Sequence, residues 1–243
     1  MPMVSHAGNQ FREITMRYSN KKYRFQTLAL SLSALCGLAL GIVALLTHAA
    51  VAQAPAAQAP AATSKTDRQT ATLAAGCFWS MEAIFKQLKG VDKVVPGYAG
   101  GKLNNPSYED VETGTTGHAE TLKIVFDPSK ITYKELLDVL LTVRDPTTLN
   151  RQGNDEGPQY RSVIFYHNEQ QHKDAMEVIK KFNDNHVWPD KIVTALSPFV
   201  NFFPAEDYHL DYYRLHPNQP YCRLVIAPEI EKFRSIYKSK LKQ

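Results

Sequence analysis

The sequence predicts an α+β domain, a two-layer α/β sandwich built on a mixed, largely antiparallel sheet. Three observations point there. Short apolar runs of strand length alternate with amphipathic stretches of helical period. Signals for tight hairpins are poor. The third strand-like run follows the second through a loop with no obvious helix in it. No internal repeat is visible, and the layering expected is ferredoxin-like.

In chain order, residues 71–75 form a short apolar strand candidate, and residues 78–88 follow with Met81, Ile84, Phe85 and Leu88 at helical spacing. Residues 91–98 read as a second strand, ending in Gly97-Tyr98-Ala99-Gly100-Gly101, a loop whose glycines permit positive φ. Residues 120–126 (ETLKIVF) alternate well enough for a third strand, closed by Asp127-Pro128. Thr132-x-x-Glu135 has the form of a capping box and opens a helix through Leu136, Leu137, Val139, Leu140 and Val143. Residues 145–159 are polar and broken by Pro146, Gly153, Gly157 and Pro158, a long loop of the kind that usually binds something. Residues 161–166 (RSVIFY) read as a strand, residues 169–182 as a third amphipathic helix, and residues 192–196 as a further strand. Residues 198–220 are irregular and aromatic. There Phe199, Phe202, Phe203, Tyr208, Tyr212 and Tyr213 are read mostly as core or wall.

The chain divides into residues 1–52, a signal peptide or N-terminal membrane anchor; residues 53–69, a flexible Ala/Pro-rich linker; and residues 70–243, one catalytic domain. Residues 27–46 (TLALSLSALCGLALGIVALL) carry no charge and follow a flank with Arg12, Arg17, Lys21, Lys22 and Arg24. Ala50-Val51-Ala52 has the small-x-small form of a signal-peptidase site. The apolar run is also about 20 residues long, enough to span a bilayer uncleaved. Either way the domain is expected outside the cytoplasm, periplasmic or anchored to the inner membrane. Cys36 lies in this run without a lipoprotein-like context and is assigned no chemistry. The formal net charge of +4 owes much to that N-terminus, so nucleic-acid binding is not expected. Lys232, Arg234, Lys238, Lys240 and Lys242 read as a solvated helix face or tail.

Cys77, in Ala75-Gly76-Cys77-Phe78-Trp79-Ser80, stands where an apolar run meets a helical pattern. A helix start carries partial positive charge and free N–H groups, which favour a thiolate below the free value of about 8.5. The aromatic pair Phe78 and Trp79 suggests an apolar pocket beside the sulfur. A nucleophilic sulfur attacking a polar oxidised group needs a proton for the departing oxygen, and Glu120, at the start of an apolar strand, is the leading donor. Tyr108 and Tyr160 follow turn-forming stretches and offer phenolic hydroxyls. His118 is read as ordering the turn before Glu120, with His209, His216 and Arg214 fringing the site. No second ligand sits at a metal-binding offset from Cys77, so no metal is expected. For Cys77 and Cys222, in an oxidising compartment, a structural disulfide is the ordinary alternative.

Five blocks occur in the order and spacing of peptide methionine sulfoxide reductase A: Gly76-Cys77-Phe78-Trp79; Gly97-Tyr98-x-Gly100-Gly101; Asn105-Pro106-x-Tyr108; Gly117-His118-Ala119-Glu120; and Gln152-Gly153-Asn154-Asp155-x-Gly157-x-Gln159-Tyr160-Arg161-Ser162. The domain resembles that family from about Thr72 to Phe233. The resemblance implies reduction of the S epimer of methionine sulfoxide in proteins, with Cys77 as nucleophile and Glu120 as proton donor. It implies Tyr108 and Tyr160 as oxygen-binding phenols, Phe78 and Trp79 as the pocket for the S-methyl group, and Asp155 as an arranging carboxylate. Cys222 stands where the resolving cysteine is expected, giving a Cys77–Cys222 disulfide recycled by thioredoxin or a thioredoxin-like donor. No metal or organic cofactor is needed, and a monomer is expected. No further C-terminal cysteine relays the disulfide outward. Two other readings stay open on the residues alone: a cysteine peptidase pairing Cys77 with a distant His, and a tethered binding domain with a permanent disulfide.

Overall fold

Six strands form one sheet in the order β7-β6-β1-β3-β2-β8, where β1 is Gln69–Ala74, β2 Val91–Ala99, β3 Ala119–Phe126, β6 Val163–Tyr166, β7 Ala195–Pro198 and β8 Phe203–Pro204. The computed structural model describes residues 67–243. The expected leader, Cys36 and most of the linker lie outside the described residues. Among those described, no helix is long and apolar enough to cross a membrane.

β1, β2, β3 and β6 are joined antiparallel, while β6 and β7 run parallel, so the sheet is mixed and largely antiparallel as expected. Helix α1 (Phe78–Phe85) links β1 to β2, and α3 (Tyr133–Val143) lies between β3 and β6. That is the split β-α-β-β-α-β connection of a ferredoxin-like sheet. The strand starts one residue before the expected linker boundary, because Gln69 already pairs with Phe126.

The central strands carry the core. Leu73, Leu122, Ile124 and Phe126 are fully buried, each worth about 1.5–3 kcal/mol of transfer free energy. α1 packs on β2 and β3, and α4 (Glu169–Asp184) packs on β6 and α3. The capping box at Thr132 forms as its spacing predicts: Thr132 N–H donates to Glu135 Oε2 at 2.8 Å, and Glu135 N–H donates to Thr132 Oγ1 at 3.2 Å.

The structure departs from the sequence expectation in the connections. Tyr108 is not in a loop; it begins α2 (Tyr108–Glu112), capped by Ser107 and Asp110 in a second reciprocal box. The long loop after α3 contains a small hairpin of β4 (Arg151–Gln152) and β5 (Asp155–Glu156), then a 3₁₀ turn at Pro158–Tyr160. The aromatic segment contributes β8 and the short helix α5 (Tyr212–Leu215). A π-helical turn at Cys222–Ile226 runs into α6 (Ala227–Tyr237), which buries Ile230 and Phe233. Of the basic C-terminal residues, Lys232 and Arg234 lie on α6 while Lys238, Lys240 and Lys242 follow it; Arg234, Lys238 and Lys242 are exposed as a solvated face or tail, whereas Lys232 is half-buried and its ammonium is pushed down to about 7 by burial.

Candidate active site

β1 ends at Ala74, and the chain turns through Gly76 to start α1 at Cys77. Gly76 has φ +75°, and a Cβ there would lie 2.5 Å from the Gln152 side chain and 2.6 Å from Arg144 Nη2. Both the left-handed backbone and the close approach exclude a side chain. The Gly76 N–H donates to the Tyr160 carbonyl at 3.1 Å, so the 3₁₀ turn is held against the start of α1.

Cys77 occupies the N-cap position of α1 and makes no side-chain capping bond. The first free amide of the helix, that of Phe78, donates instead to Glu120 Oε2 at 2.8 Å. That single bond carries Glu120, on β3, to the residue next to the sulfur. Cys77 is 6 % exposed and Glu120 2 %. Burial is the largest influence on the Cys77 thiol and pushes it well up; the Glu120 carboxylate pushes the same way, the Trp79 amide pulls down, Asp155 pushes up and Arg144 pulls down. The lowered thiol expected from a bare helix start is thus corrected: the dipole acts, but desolvation and a buried acid outweigh it. Glu120 is also raised, first by burial and then by Glu112 and Asp155, against the pull of the Phe78 amide and Arg144. Once Glu120 holds a proton, its repulsion of a Cys77 thiolate vanishes. The two groups therefore titrate as a pair.

Three phenols stand around this pair. Tyr160 Oη donates to Glu112 Oε1 at 3.1 Å, and Tyr221 Oη donates to Asp155 Oδ2 at 2.6 Å. The Tyr108 N–H donates to Glu206 Oε1 at 2.8 Å, and its ring lies 4.6 Å from that of His209. All three phenols are raised, chiefly by burial, with Glu120 second for Tyr108 and Tyr160 and Cys77 second for Tyr221, so they stay protonated as donors. Asp155 is raised by burial and drawn back by Tyr221 and Arg144.

Phe78 turns inward, 1 % exposed, against Tyr98 and His209. Trp79 stacks on Tyr212 with centroids 3.7 Å apart and presents its indole N–H to His209 Nδ1 at 2.9 Å. The edge of Tyr221 closes the other side at 6.2 Å. An apolar aromatic wall thus flanks the thiol and its acid. Cys222, directly after Tyr221, is fully buried at the start of the π-helical turn, and both Cys77 and Cys222 are free thiols.

The structure brings Cys77, Phe78, Trp79 and Glu120 together through direct contacts. Asp155 joins them through Tyr221, and Tyr160 through the Gly76 amide. Sequence reasoning missed Glu112, Glu206, Tyr221 and Arg144, whose partners lie far along the chain. His118 behaves as expected, accepting from the Gly101 N–H at 3.2 Å and bonding the Leu103 carbonyl at 2.7 Å, which orders the loop before Glu120. His209 is more than a fringe residue: it is buried between Phe78 and Tyr108 and anchors the Trp79 indole. Among the described residues no cluster of three metal-ligating side chains occurs.

A protein-family model described as peptide methionine sulfoxide reductase matches residues 69–241. The chain is 53 % identical over 174 residues to a peptide methionine sulfoxide reductase MsrA of Saccharolobus solfataricus, covering 72 % of this chain and 97 % of that protein. It is 52 % identical over 174 residues to the MsrA of Thermus thermophilus, covering 72 % and 98 %. Among solved structures it is similar to reduced Mxr1 of Saccharomyces cerevisiae, with a TM-score of 0.60 and 36 % identity over 64 % of this chain and 89 % of that one. The methionine sulfoxide reductase A of Corynebacterium diphtheriae matches with a TM-score of 0.57 and 33 % identity over 62 % and 76 %.

Proposed function

Since the chain belongs to the peptide methionine sulfoxide reductase family, we propose that it reduces the S epimer of methionine sulfoxide in oxidised proteins through Cys77, Glu120 and Cys222. The observation that carries these assignments is the 2.8 Å bond from the Phe78 amide to Glu120, which sets a carboxyl whose proton is held more tightly by burial beside the nucleophile's own helix start.

The Cys77 sulfur attacks the sulfoxide sulfur as Glu120 gives its proton to the sulfoxide oxygen. With the attacking sulfur as thiolate, negative charge therefore passes from the sulfur to the Glu120 carboxylate without a net change in the pocket, which suits a low-dielectric site. Tyr108 and Tyr160 steady the oxygen by hydrogen bonding; Tyr160 must share its hydroxyl with Glu112 to do so. Phe78 and Trp79 receive the S-methyl group, and Asp155 acts by holding Tyr221. The hydroxyl then passes to Cys77: the substrate S–O bond and the new sulfur–sulfur bond break, a Cys77 S–O bond forms, and methionine leaves with Cys77 oxidised by two electrons to a sulfenic acid. The Cys222 thiolate attacks that sulfur, water leaves, and the disulfide formed is reduced by an external dithiol.

The donor we infer is a thioredoxin-like protein, and the charge-free run at residues 27–46 supports one working outside the cytoplasm. Cys222 is fully buried and, like Cys77, a free thiol, so the disulfide forms only as the two sulfurs are brought together. Cys222→Ser is expected to release one methionine per chain and then stall with thioredoxin-like donors. Undiminished steady-state turnover of that variant with such a donor excludes Cys222 as the resolving thiol, and failure of every exported thioredoxin-like donor with the wild type excludes this donor class.

The two histidines named near Cys77 do not serve a peptidase reading. His118 is bonded to Gly101 and Leu103, and His209 accepts from Trp79, so neither is paired with Cys77. Hydrolysis of an unoxidised peptide, lost in Cys77→Ser, is the result that would restore it.

A further inference from the structure

Arg144 closes α3 and is 2 % exposed. Its guanidinium meets the nucleophile's turn at three points. Nε donates to the Ala75 carbonyl at 2.9 Å, Nη1 donates to Ser80 Oγ at 3.3 Å, and Nη2 occupies the space beside Gly76. Those contacts fall on both sides of Cys77 in the chain. The charge partner of Arg144 comes from elsewhere: Nη1 meets Glu229 Oε2 at 2.5 Å, and Ser80 Oγ also donates to that oxygen. Glu229 sits in the first turn of α6, the helix that continues from the Cys222 turn.

We propose that Arg144 is a positioning residue for Cys77, and that Glu229, carried by the same segment as Cys222, sets how much of its positive charge reaches the sulfur. The proposal rests on Cys77 being the nucleophile. A guanidinium taken out of water is costly, and a buried ion pair is a poor way to gain stability alone. Here the cation is placed at the turn where a thiolate must form, and its neutralisation is assigned to the segment that also carries Cys222. Cys77 also faces Glu120 from β3, Asp155 from β5, the hydroxyls of Tyr108 and Tyr221, and the Trp79 amide. Of these, the two carboxylates oppose ionisation, so Arg144 is the cationic side chain acting for it. It acts on Glu120 and Asp155 in the same sense. Lys232, one turn beyond Glu229, is attracted by Glu229 and repelled by Arg144, and it shares this cluster.

The test follows alkylation of Cys77 by iodoacetamide against pH in the reduced full-length protein, read at Cys77 by peptide mass spectrometry. Glu229→Gln keeps the side-chain shape and an acceptor for Arg144 and Ser80 while removing the charge. It is expected to move the midpoint to lower pH and to speed alkylation near neutrality by on the order of tenfold. Arg144→Met is expected to move it to higher pH, with Arg144→Lys restoring part of the shift. Opposite movements are the signature, since mere loosening of the turn displaces both variants the same way. A midpoint in Glu229→Gln that is unchanged or higher overturns the proposal, whether or not Arg144→Met folds. Wild-type reduction of a sulfoxide peptide is measured alongside: its absence removes the reductase reading, whereas its presence with unshifted midpoints removes only the role of Arg144 and Glu229.

Discussion

Cys77→Ser is expected to abolish reduction of a methionine S-sulfoxide peptide by dithiothreitol while leaving the fold intact. A serine hydroxyl is far less acidic and less nucleophilic than a thiol, and it cannot take the oxygen as a sulfenic acid. The loss is chemical and not structural. Cys77 makes no side-chain capping bond at the head of α1, and serine is among the preferred N-cap residues, so the substitution is expected to hold or raise the melting temperature. Turnover and thermal unfolding measured on the same sample decide this. Residual activity comparable to wild type would remove the nucleophile from Cys77; lost activity with a collapsed melting transition would show only that the turn had failed.

Glu120→Gln is expected to slow the sulfoxide step by about 10²–10⁴-fold, the range for loss of a positioned general acid. Gln retains a carbonyl to accept from the Phe78 amide, so the ground-state geometry is preserved while the acidic proton is not. Wild-type single-turnover rates should decline as pH rises through the raised Glu120 value, because the donor is then ionised, and the variant should lack that limb. Stability gives an independent check of the same burial. The folded carboxyl is raised above its unfolded value of about 4.3. Its contribution to stability is therefore complete below that pH and is lost as pH climbs through the folded value. Relative to wild type, Glu120→Gln should gain melting temperature progressively above about pH 4.3. A wild-type rate kept by the variant, or a difference in stability that does not depend on pH, would remove Glu120 as the buried acid.

Local patterns carried much of the fold into view. The alternation in residues 120–126, the Thr132 box and the period of α4 each depend on neighbours a few positions away. The Ser107 box is faint in the sequence because Asp110 replaces the more diagnostic Glu and the helix has only five residues. α6 was obscured by Pro228 and its lysines, although Ile230, Phe233 and Tyr237 keep a helical spacing along its buried side. Cys77 and Glu120 are legible in the sequence from their chemistry, and Tyr108, Tyr160, Asp155 and Cys222 chiefly from family resemblance. What could not be read was their field. The helix start argued for an acidic thiol; the burial and the carboxyl that reverse this are set by β3, which meets Cys77 only after folding. Arg144 and Glu229 are 85 positions apart, and neither has a local signature of an active-site role.

The most direct measurement is mass spectrometry of the Cys222→Ser protein after one equivalent of S-sulfoxide peptide, without external thiol and with a sulfenic-acid trap such as dimedone. One reduced peptide per chain, with the trap bonded to Cys77, is the result expected. Reduced peptide alongside an unmodified Cys77, or a trap found on another residue, would contradict the assignment of the oxygen-accepting sulfur.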